Sequence, residues 1–434
     1  MYKIFLIIFI ILFSNQLCFS ETLKKIDLKT AIDIALQNNI DIKSSEMDLE
    51  IAKNNIKISN RLQNPSIKHF LNFGRACEGN PNQIGLAQTI ELFKRGSRKN
   101  LAKSIYDTES NKLEYNKFHL KMDVSEAYIK LVVAKFLLNK CRHQQDFHEK
   151  LLKISNPYNL KIEEETLDTI EAKIALNQII TEVNKAKANE RTARIEFNKV
   201  INSLEGNYDS IDSELNKDKD IIGINIPMSS TKLPSFDEIA EKVIDNRLDI
   251  KIAKNEIETS KKNLTMVIRQ RIPDIEISGG YGYQPARTSP SNQFESGAYL
   301  EASIVNIPIL YAYRPEIRNA KIEIEKANLN YISTVNKARK DIEIAYEKFV
   351  TAKINLDSYN DKIFRESEKL FNLFEKIYKV KKLDFASLAA VEESYQDLIV
   401  GYSEAISDYY IGWINFLREI YSDNFVFEQV NTSL

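Results

Sequence analysis

The sequence predicts a mainly α-helical chain with a transmembrane β part, in which one helix–β-hairpin–helix unit occurs twice. Three observations carry the prediction. The chain matches itself at a fixed shift, its long polar stretches repeat apolar residues at heptad spacing, and two Gly- and Pro-rich windows alternate apolar and polar residues as strands do.

The self-match is direct. At a shift of 208, Leu28…Asn38-Asn39-Ile40-Asp41-Ile42-Lys43 falls on Phe236…Asn246-Arg247-Leu248-Asp249-Ile250-Lys251. Lys53, Asn55, Pro65, Ile67 and Gly74 then fall on Lys261, Asn263, Pro273, Ile275 and Gly282. After a segment of unequal length the shift becomes 218, and Ala102-Lys103, Ala127-Tyr128 and Ala134-Lys135 meet Ala320-Lys321, Ala345-Tyr346 and Ala352-Lys353. The two copies span residues 21–204 and 234–421. Residues 205–233 form a polar linker or equatorial segment, punctuated by Gly206, Gly223 and Pro227, and residues 422–434 form a C-terminal tail.

Helix is expected wherever the heptads run. Val124, Ala127, Leu131, Ala134 and Leu138 step by three and four, and Ile342, Ala345, Phe349, Ala352 and Leu356 repeat the spacing. This pattern specifies helices packed side by side as in a coiled coil. Uninterrupted stretches from Ser97 to about Ser155 and from Pro315 to about Val380 make helices of roughly 90 Å.

Strand is expected in the two windows 65–96 and 273–308, which hold eight of the twelve glycines and six of the ten prolines. Ile67, His69, Leu71 and Phe73 alternate with Ser66, Lys68, Phe70 and Asn72, and Ile84, Leu86, Ile90 and Leu92 alternate with smaller or polar residues. The second window repeats this with Ile275, Ile277, Tyr281 and Tyr283, then Ala298, Leu300, Ala302 and Ile304. The hairpins are placed at about 66–93 and 274–306. Strands of this length with one apolar face suit a bilayer. The aromatics Phe70, Phe73, Phe93, Tyr281, Tyr283 and Tyr299 lie where interfacial side chains belong.

The N-terminus indicates export. Lys3 precedes ten apolar residues, Ile4 to Phe13, and a polar stretch ending in Cys18-Phe19-Ser20. That is the layout of a signal peptide over residues 1–20, too short to span a bilayer, which takes roughly 20 apolar residues. Cys18 also admits lipidation, although Leu17 is bulky where a lipobox wants a small residue. Only Cys77 and Cys141 survive cleavage, too few for a disulfide scaffold.

Composition excludes other classes. With 60 basic and 61 acidic residues, the net charge is −1 and there is no nucleic-acid footprint. No Gly-x-Ser-x-Gly, His-Glu-x-x-His or phosphate loop occurs, so no enzyme, catalytic residue or cofactor is expected. Cys141, His143 and His148 invite a metal reading, but ligating helical pairs sit three or four apart. Packing or solvent exposure is the plainer role for them, and no metal is expected. His69, beside Lys68, reads as an interfacial or loop-proximal side chain. Trp413 with Tyr409 and Tyr410 reads as packing near the end of the last helix.

Four strands cannot close a barrel, for which about eight is the practical minimum, and an open edge in lipid leaves backbone groups unpaired. Several copies must combine. The apolar stripes of the long helices make the same demand.

At this point the chain resembles the TolC family of outer-membrane efflux proteins, over essentially the whole mature sequence. The residues that carry the resemblance are Leu28-Lys29-Thr30-Ala31-Ile32-Asp33-Ile34-Ala35-Leu36-Gln37-Asn38-Asn39, its degenerate copy from Phe236, the duplicated hairpins, and Tyr378…Leu383-Asp384-Phe385-Ala386-Ser387-Leu388. The resemblance implies a homotrimer in the outer membrane of a Gram-negative-type bacterium. Three chains would give four strands each to a 12-stranded β-barrel, continuous with a long coiled-coil α-barrel that tunnels into the periplasm. It also implies outer-membrane lipid around the barrel, and a periplasmic adaptor protein and inner-membrane pump as partners. The cargo would be small molecules such as drugs, toxic compounds or metal ions.

In that family the tunnel narrows at the turns between paired helices, which here fall near Asn156–Thr166 and Val380–Ser387. The second turn resembles Tyr-x-x-Gly-x-x-Ser-x-x-Asp-x-x-Asp. This chain keeps Tyr378 but has Lys381 for the glycine, Asp384 for the serine, and Ser387 and Ala390 at the acidic places. In the first copy Asp168 fits the acidic position and Glu163, Glu164 and Glu165 lie just ahead of it. The candidate aperture is therefore Glu164, Glu165, Asp168, Tyr378, Asp384 and Ser387. The three glutamates also suit a solvated helix start. Two other functions remain open: the outer-membrane channel of a type I protein secretion system, and a pore-less periplasmic coiled-coil adaptor or structural protein.

Overall fold

The computed structural model describes residues 23–71, 82–155, 167–203, 208–211, 236–283, 296–359, most of 366–377, and 385–422. The elements in chain order begin β1 (Lys24–Ile26), α1 (Leu28–Asn38), α2 (Ile40–Ser59), β2 (Ser66–Phe70), β3 (Asn82–Ile90), α3 (Lys94–Ser155) and α4 (Leu167–Val200). They continue with β4 (Tyr208–Ser210), α5 (Phe236–Val243), α6 (Leu248–Arg269), β5 (Asp274–Tyr283), β6 (Gly297–Val305), α7 (Arg314–Ser358) and α8 (Phe385–Ile420).

The two sequence copies do not become two bodies. One compact body takes residues 41–117 and 236–342, the other takes 1–40, 118–235 and 343–434, and each draws on both copies. The heptad helices form as expected: α3 has 62 residues, starting three residues ahead of the predicted Ser97, and α7 has 45. α7 ends at Ser358 with a bend at Tyr359, short of the uninterrupted run to about Val380 that the sequence predicts. Residues 360–365 and 378–380 of that run lie outside the described residues, as do the tip of each hairpin and residues 423–434.

In the sheet body the four strands lie in the order β2-β3-β5-β6, every neighbouring pair antiparallel. The pairing of β3 with β5 joins the hairpins of the two copies, with Ile84 opposite Tyr281 and Leu86 opposite Gly279. Cross-strand partners share a face, so the register gives the sheet a mainly apolar and a mainly polar face. One collects Ile67, Ile84, Leu86, Ile90, Ile275, Ile277, Tyr281, Leu300 and Ile304, with His69 and Gln88 among them. The other collects Ser66, Lys68, Gln83, Glu276, Ser278, Glu301 and Ser303, with Phe70 and Tyr299 among them. There Lys68 pairs with Glu276, and Ser278 Oγ donates to Glu301 at 3.4 Å. The helices of this body meet through small polar contacts, Ser104 with Thr259 at 2.7 Å and Asn116 donating to Ser45 at 2.9 Å.

In the helical body the heptad residues Val124, Leu131, Phe349 and Leu356 are all buried, as is Ile342 at the end of the sheet body, so the spacing does mark the packed stripe. Trp413 is fully buried, 5.0 Å from the Phe349 ring and 5.7 Å from Phe416, the packing role expected of it. Gly412 lets α8 approach α7, since a Cβ there would already touch the Phe349 Cα at 3.4 Å.

A short parallel pair, β1 with β4, was not legible in the sequence, where the segment after Glu205 reads as linker. It is fastened to α3. Lys135 Nζ donates to the Ser210 carbonyl at 2.7 Å and reaches both carboxylate oxygens of Asp209 at 3.2 and 3.3 Å. Tyr128 Oη donates to the Ile26 carbonyl at 3.3 Å.

Candidate functional site

Two regions carry functional geometry, one in each body. In the helical body the end of α3 and the starts of α4 and α8 close over an apolar cluster. Leu151, Ala172 and Leu388 are its buried centre, with Phe147, Leu152, Ala175, Phe374 and Ala389 packed around them. One turn further from the helix ends lies a polar network around the buried His148 and Glu392. Glu392, on α8, accepts from Gln144 on α3 at 2.8 Å and from Gln396 at 3.0 Å. Its second carboxylate oxygen lies 3.2 Å from His148 Nε2. Helical spacing explains the gathering, because positions 144 and 148, and 392 and 396, lie on one face of their helices.

Beside this network runs a groove of about 850 Å³ on α3, α4 and α8. Glu182, Glu392, Glu393, Asp397 and Glu404 face it against Lys130 and Lys185, so its wall is acidic. Cys141 also lines it, and burial, reinforced by Glu182, pushes its thiol up from the ordinary cysteine value. His143 is exposed while His148 is buried, so the two histidines point apart. Among the described residues no group of three or more His, Cys, Asp or Glu side chains is arranged to hold a metal.

In the sheet body the apolar face has no cover among the described residues. Ile67 is 76% exposed, Leu86 59%, Leu300 84% and Ile304 65%. The outer edges of β2 and β6 have no strand partner among the described residues. No described helix is long and apolar enough to cross a membrane. The alternating directions of the strands put β2 and β6 antiparallel to each other. A β6 edge therefore matches the β2 edge of another copy, and the pattern repeats without a direction change.

No family model and no curated protein sequence matches the chain. Solved structures do. A membrane protein from Pseudomonas aeruginosa superposes with a TM-score of 0.71 at 16% identity, over 92% of this chain and 94% of that one. CusC, described as forming a transmembrane channel, gives 0.69 at 14% identity over 92% of both chains. The MtrE outer membrane channel of Neisseria gonorrhoeae gives 0.69 at 18% identity, over 91% of this chain and 89% of that one. The fold is that of the TolC-type outer-membrane channels.

Within this outer-membrane-channel fold the candidate aperture residues are placed unevenly. Glu164, Glu165, Tyr378 and Asp384 lie outside the described residues. Asp168 falls in the first turn of α4 and Ser387 in the first turn of α8, where Ser387 is half-buried. Ser387 precedes Leu388, which belongs to the apolar cluster, while the side chains of Glu164, Glu165, Asp168 and Asp384 lie outside the described residues. The Gln144–His148–Glu392–Gln396 network escaped sequence reasoning. Its one visible signal was the matching spacing of four on two separate helices.

Proposed function

We propose that the chain is one subunit of a trimeric outer-membrane channel. Three copies close a 12-stranded β-barrel in the outer membrane, and their helices continue it as a tunnel into the periplasm. The observation that carries this is the sheet itself: four strands, one apolar face exposed across its width, a polar face opposite, and two open edges of compatible direction. Water does not favour so much contiguous exposed apolar surface, and lipid does not tolerate unpaired edges. A barrel shared among copies answers both. The signal-peptide layout of residues 1–20 fits the same reading. The channel passes small molecules delivered by a periplasmic adaptor and an inner-membrane pump, which dock at the helical tips.

The test is assembly. Mature protein extracted from outer-membrane fractions is expected to run as a trimer, and cysteine pairs scanned along β2 and β6 to cross-link one copy to the next. A water-soluble monomer without such cross-links would overturn the proposal.

The aperture lies at the helix ends beyond the apolar cluster, with its negative ring drawn from Glu164, Glu165, Asp168 and Asp384, near Tyr378 and Ser387. Asp168→Asn with Asp384→Asn is expected to change cation block of the reconstituted pore; unchanged block excludes these carboxylates from the aperture.

A further inference from the structure

The groove beside the Glu392 network is a trench with a patterned wall. Along α8 it is lined by Ala389, Glu393, Asp397, Val400, Glu404 and Ser407, which step by three or four residues and so form one stripe of the helix. Carboxylates therefore recur along that wall at fixed intervals, with apolar side chains between and beside them. At about 1.5 Å per residue, Glu393 and Asp397 stand about 6 Å apart along the axis, and Asp397 and Glu404 about 10 Å. The facing stripes of α3 and α4 supply an apolar floor, with Ala134, Leu137, Ile179 and Ala186, and one further carboxylate, Glu182.

These carboxylates are unanswered within the chain. Among the described residues Glu182, Glu393, Asp397 and Glu404 make no hydrogen bond or ion pair. Lys130, one of the two cations lining the trench, donates to Glu126 outside it at 2.8 Å. Negative charge is in excess.

His148 lines the trench at the end nearest Ala389. Only 3% of its side chain is exposed, and neither ring nitrogen has a hydrogen-bond partner among the described residues, although Glu392 stands 3.2 Å from Nε2. A buried ring nitrogen left unmet calls for a partner from outside the chain.

Dimensions and spacing select that partner. Spread along the roughly 27 Å of α8 from Ala389 to Ser407, a volume of about 850 Å³ leaves a passage about 6 Å across. An α-helix, about 10–12 Å in diameter with its side chains, does not fit. An extended methylene chain does. A metal ion takes oxygen ligands at about 2.0–2.6 Å, so carboxylates spaced this widely do not share one. Ammonium groups separated by three or four methylenes repeat at about the spacing of Glu393 and Asp397, their methylenes suit the apolar floor, and their N–H groups can serve both carboxylate and imidazole.

We propose that the trench on α3, α4 and α8 binds a linear aliphatic polyamine, its ammonium groups on Glu393, Asp397 and Glu404, its methylenes on the floor, and one terminal N–H given to His148. The trench lies wholly in the helical body, so the proposal goes beyond the channel reading and does not depend on it. Mature protein in detergent is titrated with spermine by calorimetry at physiological ionic strength, where exposed charges more than about 8 Å apart are largely screened. One spermine per chain is expected. Glu393→Gln with Asp397→Asn, both exposed side chains, is expected to weaken binding at least about tenfold. Ala186→Leu, which fills the floor and leaves every charge in place, is expected to weaken it as well. Spermine methylated to quaternary ammonium at every nitrogen keeps the charges, loses the N–H groups and is expected to bind less tightly. Absence of spermine binding overturns the site, and equal binding of the quaternary form overturns the hydrogen-bonded geometry. Equal weakening by Glu325→Gln with Glu347→Gln, two exposed carboxylates of α7 outside the trench, shows diffuse counterion attraction and overturns it too. Protein that conducts without binding loses the site and keeps the channel; protein that binds without conducting keeps the site and loses the channel.

Discussion

His148 on α3 and Glu392 on α8 meet at 3.2 Å with 3% and 8% of their side chains exposed, and Glu392 also accepts hydrogen bonds from Gln144 and Gln396. One carboxylate thus faces the buried His148 and two half-buried glutamines. Truncating it removes the group facing the His148 ring, whose nitrogens have no hydrogen-bond partner among the described residues, and an unmet buried polar group costs about 1–3 kcal/mol. Glu392→Ala is therefore expected to lower the urea midpoint of the helical body, followed by Trp413 fluorescence in detergent. Glu392→Gln keeps an acceptor oxygen for the two glutamines and is expected to recover most of the loss. Equal midpoints for Glu392→Ala and the parent would show that the network contributes nothing.

Lys135 is the clasp of the β1–β4 pair, reaching Asp209 and Ser210 from α3. Hydrogen bonds from a charged donor contribute about 1.5–3 kcal/mol. Lys135→Met is expected to speed hydrogen exchange of the Ile211 amide, which donates to the Ile26 carbonyl at 3.2 Å. Exchange at the parent rate would mean that backbone pairing alone holds the strands.

These two features mark the boundary of what the sequence discloses. The heptads placed Leu131 and Phe349 in the core because a stripe of apolar side chains must be buried somewhere. Alternation placed Ile84 and Leu300 on one face because the strand period leaves no other option. Both are local periodicities, readable without a partner. Asp209 lies in a polar segment whose composition says only that it is irregular, and its contact with Lys135 joins residues 74 apart that no local pattern connects. The division into bodies that cut across the copies follows from β3 pairing with β5, a long-range choice that neither hairpin encodes alone. Of the candidate aperture, the sequence named six residues, of which the described structure locates Ser387 in the first turn of α8 and the backbone of Asp168 in the first turn of α4.

Asp27 caps α1, accepting from the Thr30 amide at 3.0 Å. The Thr30 hydrogen bonds hold its carboxyl below the usual aspartate value. The cap's contribution is therefore complete above the ordinary aspartate range and is lost as pH falls through the lowered value. Asp27→Ala is expected to cost about 1 kcal/mol at neutral pH and to show a smaller difference from the parent under strong acid. An unfolding series across pH in which the difference stays constant would contradict this.

Cys141 lines the acidic groove with its thiol pushed up by burial and by Glu182. Only the thiolate alkylates readily. In a Cys77→Ser background, iodoacetamide labelling of mature protein is expected to be slower at neutral pH than for a free cysteine, rising as pH climbs past the ordinary thiol range. Glu182→Gln is expected to speed it. Labelling at the free-cysteine rate would show an unhindered, solvated thiol.

The most direct measurement is the conductance of purified mature protein in a planar lipid bilayer. A closed trimeric barrel predicts discrete single-channel steps of one unitary size, with each step due to one trimer. Protein that inserts without steps, or that remains in solution and leaves the bilayer silent, would contradict the channel.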